Sequence, residues 1–244
     1  MSRFFVTPEA IGKDYIEITD KGDIKHMSKV LRLKVGDEIE VSDSSQYEYT
    51  AEIVEISPAQ VLCKITDKQR CLGEPELEVT LFQGVPKQGK METIIQKTVE
   101  LGISAIVPVF TARTVVQDKG RMDNRLERWQ KVSAEAVKQC GRGKIPAVEY
   151  PLTFKEMVEN LKSGFDLVLF LYEDEEKTTL KDVLRGKTGV KTVALIIGPE
   201  GGFAEEEAVI LREIACCASL GKTTLRTETA GMAALAMTMY ELEL

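Results

Sequence analysis

Histidine and tryptophan each occur once in these 244 residues, and cysteine five times, an odd number. With His26 alone, a multi-histidine zinc site and a Ser-His-Asp triad are both excluded. Cys63, Cys71, Cys140, Cys216 and Cys217 contain no C-x-x-C pair, so reduced thiols fit them better than a disulfide framework. Cys216 and Cys217 follow the apolar helical run 208–215 and are expected to be buried core thiols. No apolar run approaches the roughly 20 residues of a bilayer span, and the start MSRFFVTPEA lacks a signal-peptide core. A soluble, cytoplasmic protein is the expectation. With a net charge of −7 and a pI near 5.1, no global positive field steers phosphates inward, so nucleic acid needs a local basic patch. Chemistry is left to carboxylates, backbone amides, Lys and Arg, or a bound organic cofactor.

What is present falls into two grammars. Up to about residue 70 the chain reads as short strands at 4–6, 15–18, 38–41, 49–56 and 61–65, rich in β-branched and aromatic residues. One helix is expected over 23–33, with Ile24, Met27, Val30 and Leu31 at helical spacing. A small closed or nearly closed β-barrel is the economical arrangement, because closure removes exposed edges. Gly73, Glu74 and Pro75 mark a boundary, giving domains 1–72 and 73–244. Beyond it, strands at 79–83, 105–110, 167–171, 193–197 and 218–220 alternate with helices at 91–101, 124–140, 154–161, 205–215 and 227–242. That alternation predicts a mostly parallel sheet covered on both faces.

Two loops stand out. An apolar strand runs into Gly198, Pro199, Glu200, Gly201 and Gly202, and a helix then opens on Glu205, Glu206 and Glu207. Glycines let backbone approach a ligand closely, and strand carboxyl ends are where open α/β sheets bind ligands. The acids disfavour a phosphate at that helix start. The bland alternative is a glycine-rich connection. Neither G-x-G-x-x-G nor a P-loop is present, since Gly221, Lys222 and Thr223 would need a glycine where Cys216 stands. The second loop, LGKTTLRTETAG, enters an Ala/Met-rich helix that Thr227 or Thr229 can cap, with Glu228 in its first turn.

IGPEGGF followed by LGKTTLRTETA resembles the C-terminal motifs of the SPOUT superfamily of knotted methyltransferases. Within it, the chain is similar to the 16S ribosomal RNA (uracil-N3)-methyltransferase family. Agreement runs in order along nearly the whole chain, through Arg3 to Val6, His26 with Arg32, Lys87 with Lys90, Arg113, and Arg128 with Trp129, to Gln139, Arg142 and Pro146. The resemblance implies a PUA-like β-barrel RNA-binding domain before an α/β domain tied in a deep trefoil knot. It also implies S-adenosylmethionine as cofactor, 16S rRNA within the small ribosomal subunit as substrate, and a homodimer. No metal or membrane is implied. The chain departs from the family at Thr223 and Thr224, where Arg-Ile is usual. A knotted methyltransferase acting on tRNA, or a non-catalytic RNA-binding assembly factor, are the competing readings.

Carried over, the cofactor loops are Leu171, Tyr172 and Glu173; Ile197 with Gly198, Pro199, Glu200, Gly201 and Gly202; and Leu220, Gly221, Leu225, Arg226, Thr227, Glu228, Thr229 and Ala230. A sulfonium is cationic and phosphate-free, so glycines flanked by carboxylates suit it, with Leu171, Ile197 and Leu225 packing the adenine. Uridine N3 must lose a proton, and Arg226 is the first choice for stabilising the anion, with Glu200 beside it. The RNA-facing candidates are Arg3, Lys25, His26, Lys29, Arg32, Lys87, Lys90, Arg113 and Arg142, each weighed against an ordinary solvated charge. Met232, Leu235, Ala236 and Met239 on the last helix are the apolar residues expected at the dimer contact.

Overall fold

The computed structural model describes residues 3–45, 47–71, 73–87, 89–115, 120 and 122–243; the expected domain ends at 1, 72 and 244 lie outside them. The chain divides into two compact units, Met1–Glu74 with Val137–Ile145, and Pro75–Ala136 with Pro146–Leu244. Val137–Ile145 thus belongs with the first unit although it lies far along the chain.

The first unit is a five-stranded sheet of β1 (Arg3–Phe5), β2 (Tyr15–Ile18), β3 (Glu38–Ser42), β4 (Tyr47–Ile56) and β5 (Val61–Arg70), ordered β1-β3-β4-β5-β2. Only the β1–β3 pair is parallel. Among the described residues β1 and β2 do not pair, so the sheet curls without hydrogen-bonded closure between these edges. Strand alternation turns Ile16, Ile18, Ile39, Val41, Ala51 and Ile53 inward. Burying each of the larger ones is worth about 1.5–3 kcal/mol. β5 runs five residues past the predicted end because Asp67, Lys68, Gln69 and Arg70 pair with β4, and these polar residues leave no apolar period to read.

The helix expected over 23–33 begins at α1 (Lys21–Lys25), where the Asp20 carboxylate accepts the Asp23 N–H, and continues as a π-helical turn over His26–Leu31. The wider turn breaks the 3.6-residue period, so Ile24 and Met27 are buried while Val30 is exposed. It stops at Arg32 in the left-handed conformation, φ 54°.

In the second unit, β6 (Glu78–Gly84), β7 (Ala105–Phe110), β8 (Ala147–Val148), β9 (Leu152–Thr153), β10 (Leu167–Leu171), β11 (Thr192–Ile197) and β12 (Cys216–Ala218) form a parallel sheet. Its order is β12-β10-β11-β6-β7-β8, with β9 also on β7. The helices are α2 (Lys90–Glu100), α3 (Met122–Cys140), α4 (Phe154–Leu161), α5 (Leu180–Leu184), α6 (Glu205–Ile214) and α7 (Thr227–Leu242). α4 and α6 cover one face over Phe82, Phe170, Ala194 and Ile196, while α2, α5 and α7 pack together and α7 lies on β6 and β11. The short β8, β9 and α5 carry too few residues for a readable period. β12 falls two residues earlier than expected and pairs only with β10. On that edge Cys216 is exposed and Cys217 half-buried, which corrects the expectation of buried core thiols.

Candidate functional site

Register brings the site together. Leu171 pairs with both Ile197 and Ala218, and Ile197 with Gln83, so β10, β11, β12 and β6 reach the same level at their carboxyl ends. The loops that leave there enclose a cavity of about 420 Å³ lined by Leu171, Tyr172, Glu173, Ile197, Gly198, Pro199, Glu200, Gly202, Leu220, Gly221, Leu225, Arg226, Thr227 and Ala230. Lys222, Thr223 and Thr224, within the loop expected over 220–230, also line it, as does Ser219 just before that loop; Gly201, Glu228 and Thr229 do not. Gly201 faces away, its Cα side against Arg113.

The glycines have geometric reasons. Gly202 has φ 66°, and a Cβ there would overlap the Glu173 carboxylate. A Cβ on Gly198 would press the Phe203 ring at 3.2 Å. The loop is therefore a cradle that side chains would fill. Beneath it, the Glu207 carboxylate accepts the Ala204 and Ala112 N–H groups at 3.0 and 2.8 Å, so an acid already occupies the amides at the start of α6. These residues fit S-adenosylmethionine: the volume suits a nucleoside, Leu171, Ile197 and Leu225 supply apolar walls, and Glu173 offers a counter-charge.

At one side of the cavity Lys90 Nζ lies 3.0 Å from Glu200 and 3.1 Å from Glu228, and the Lys87 N–H donates to Glu200. Glu200, and then Glu228, raise the Lys90 pKa. Burial would raise that of Glu200, but its own backbone N–H, Lys90 and the Lys87 N–H outweigh it and the net shift is downward. Glu228 is lowered first by its own backbone N–H, against burial, and then by Lys90. Carboxylates so stabilised are poor proton acceptors. So held, Glu200 ties its loop to Lys90 and to the Lys87 N–H, and Lys90 pairs with both carboxylates.

Arg226 occupies the N-cap position of α7, exposed and lining the cavity, and no ion pair engages it among the described residues. Neither expected threonine caps this helix. Thr227 is buried and its hydroxyl donates to the Gly198 carbonyl at 2.6 Å. Gln83, which sequence reasoning passed over, donates its amide to Thr227 Oγ1 at 2.9 Å. The available signal was a single amide following the apolar pair Leu81 and Phe82 near the end of β6.

The cations divide differently from expectation. Lys25, His26, Lys29 and Arg32 are exposed in the first unit. Arg3 instead donates to Glu48 and to the Gly141 and Arg142 carbonyls, and Arg142 is buried against Glu74, so both brace the first unit internally. Lys87 is exposed, and Arg113 donates to the Gly201 carbonyl at 2.9 Å. Among the described residues no group of His, Cys, Asp and Glu is placed to hold a metal, and no helix is long and apolar enough to cross a membrane.

Residues 73–239 match the model of an RNA methyltransferase domain, and residues 10–66 that of an RNA methyltransferase PUA domain. Ribosomal RNA small subunit methyltransferase E of Bacillus subtilis is 31% identical over 230 residues, covering 91% of this chain and 89% of that protein. The protein of the same name from Synechocystis is 32% identical, covering 96% of this chain and 76% of that one. Among solved structures, a putative methyltransferase from Legionella pneumophila in complex with S-adenosylmethionine superposes with a TM-score of 0.85 at 30% identity, covering 99% and 98% of the two chains. A Neisseria gonorrhoeae ribosomal RNA small subunit methyltransferase E bound to the same cofactor gives 0.84 at 28% identity, covering 98% and 97%.

Proposed function

The chain belongs to the RNA methyltransferase family, with a PUA domain ahead of a parallel-sheet α/β domain, and from that premise we propose that it methylates N3 of a uridine in 16S ribosomal RNA of the small subunit, using S-adenosylmethionine. The observation that carries this reading is the cavity at the aligned ends of β10, β11 and β12, walled by glycine backbone and apolar side chains with Arg226 at its rim. Relatives bearing the name of a small-subunit rRNA methyltransferase, and similar structures holding the cofactor, support it.

The cofactor, when bound, supplies an electrophilic methyl on sulfur. What the chain must do is hold donor and uracil in line and favour the anion at N3, so most of the rate comes from positioning. The cradle of Gly198 and Gly202 admits backbone contact with the ligand. Glu173 would offset its positive charge, while Glu200 and Glu228 are held by Lys90 and keep the walls together. Arg226, exposed at the rim, stabilises the uracil anion as N3 gives up its proton to solvent water. Lys25, His26, Lys29 and Arg32 provide the phosphate contacts of the first unit, and Lys87 that of the second.

A deep trefoil knot is part of this proposal. It is supported by the close approach of Gly84 to Pro199, where a Cβ would overlap the proline ring, and by the hydrogen bond between Thr227 and Gly198. A cytoplasmic homodimer is the working form, with Ala236, Met237 and Tyr240 exposed beside Leu180 and Leu184 around a groove of about 530 Å³. Leu235 and Met239 are buried within the chain and leave that contact to their neighbours.

The direct test incubates the purified chain with labelled S-adenosylmethionine and small subunits from cells lacking the enzyme, then maps the product by mass. One methyl on N3 of a single 16S uridine is expected. Transfer to tRNA alone, or cofactor binding with no transfer to any RNA, overturns the reading.

A further inference from the structure

Gln83 is the penultimate residue of β6, its side chain fully buried, and nothing in its strand asks for an amide there. The neighbours fix its orientation. Thr227 Oγ1 donates to the Gly198 carbonyl, so it presents a lone pair to Gln83, and the Gly84 and Gly198 carbonyls lie 3.1 and 3.4 Å from the same nitrogen. Three acceptors converge, and Nε2 serves them. The other end is left out: Oε1 is buried with no hydrogen-bond partner among the described residues. It faces Gly231 of α7, where a Cβ would come within 3.3 Å. A helix-interior glycine costs about 1 kcal/mol relative to alanine, and its small size here lets α7 settle against this amide.

A buried carbonyl without a partner is a standing cost. A leucine of similar bulk would remove it, so packing does not explain the amide. We propose that Gln83 is a positioning residue for methyl transfer: through Thr227 it locks the Gly198 loop to the start of α7, fixing the spacing of two walls of the cofactor cavity without lining it. The inference rests on the cofactor reading of that cavity.

Calorimetric titration of the full chain with S-adenosylmethionine and S-adenosylhomocysteine tests it, comparing wild type with Gln83→Leu, Thr227→Val, the double variant and Thr227→Ser. Gln83→Leu and Thr227→Val should each weaken both ligands about tenfold, the loss of one hydrogen-bond link. The double variant should be no weaker than the worse single one, because both break one chain of bonds. Thr227→Ser, which keeps the hydroxyl, should restore binding. The melting temperature of Gln83→Leu should equal or exceed that of wild type, and its loss of activity should appear in the cofactor KM and not in turnover at saturation. A residue serving only stability would lower the melting temperature and leave KM alone. Wild-type affinity in Gln83→Leu, or single effects that multiply in the double variant, overturns the lock while leaving the cavity's assignment intact. If Gln83→Leu does not fold, equal affinities for Thr227→Val and Thr227→Ser overturn it instead. Failure of wild type to bind either ligand overturns the cavity's assignment and the lock together.

Discussion

Replacing Glu74 by alanine and Arg142 by alanine should not cost the same, although the two form one ion pair. The pair is buried, with 9% and 8% of the side chains exposed, and Arg142 Nη2 lies 2.7 Å from Glu74 Oε2. Glu74 Oε1 also accepts the Gly143 and Lys144 N–H groups at 2.8 and 2.9 Å. Removing the arginine therefore leaves a carboxylate that still has two donors, and the loss is roughly that of a charged hydrogen bond, about 2 kcal/mol. Removing the glutamate takes away the carboxylate that faces the buried guanidinium and leaves two backbone donors without their acceptor. That loss belongs to broken buried pairs, about 4 kcal/mol. Urea denaturation at pH 7, with hydrogen exchange localising the change to the first unit, measures both. Burial acts to raise the Glu74 pKa, but Arg142 and the two N–H groups prevail and lower it. Its stabilisation is thus present above the ordinary carboxyl value of 4.5 and is lost as pH falls through the lower folded one. The gap between the variants should close in acid. Equal losses at neutral pH, or a larger loss for Arg142→Ala, would refute the argument.

Other outcomes follow from the same geometry. Gly202→Ala should weaken S-adenosylmethionine more than Gly201→Ala does, because its Cβ would meet Glu173 at φ 66° while Gly201 faces Arg113; calorimetry reads the difference. Lys90→Met should lower the melting temperature by an amount that is constant from mildly acidic pH to about pH 9 and shrinks below pH 4.5, as Glu200 and Glu228 protonate at their lowered values. A salt series should show weaker RNA binding and a shallower slope for Arg32→Ala, with cofactor affinity unchanged. Arg226→Ala should instead depress turnover on RNA that still binds, measured at saturating cofactor. Tyr240→Asp should convert a dimer to a monomer in light scattering, and a wild-type monomer at micromolar concentration would remove that proposal.

Much of the fold was legible because its long elements obey one period each. The strands 105–110 and 167–171 and the helices 154–161 and 227–242 lie where alternation and spacing put them. Legibility failed where tertiary pairing overrode the local pattern. β5 extends on polar residues because β4 supplies its partners, and the π-helical turn at His26 shifts Val30 out of a face that 3.6-residue spacing assigns to the core. Cys216 and Cys217 are read as core from their apolar neighbours. Only the sheet order shows that they lie on an edge strand.

The site divides along the same line, and for a reason that applies beyond it. Backbone features write themselves locally: a glycine needed for a turn or a close approach must sit at that position in the chain, so the Gly198 and Leu220 loops could be found by inspection. Side-chain partners do not. Gln83 meets Thr227 across 144 positions, Glu200 meets Lys87 across 113, and Arg3 reaches Gly141 across 138. Gln83, Glu200, Lys87 and Arg3 carry a charge or an amide that composition alone cannot separate from one facing water or substrate. That is why sequence cannot sort the basic candidates from one another. Lys90 and Arg142 have the residue type that RNA binding needs, but the fold brings carboxylates to them first. A cation remains available to phosphate or to a developing anion only where no acid is delivered to it. Arg226 satisfies that condition at the cavity rim among the described residues, and for that reason the proposal sets the developing anion beside it.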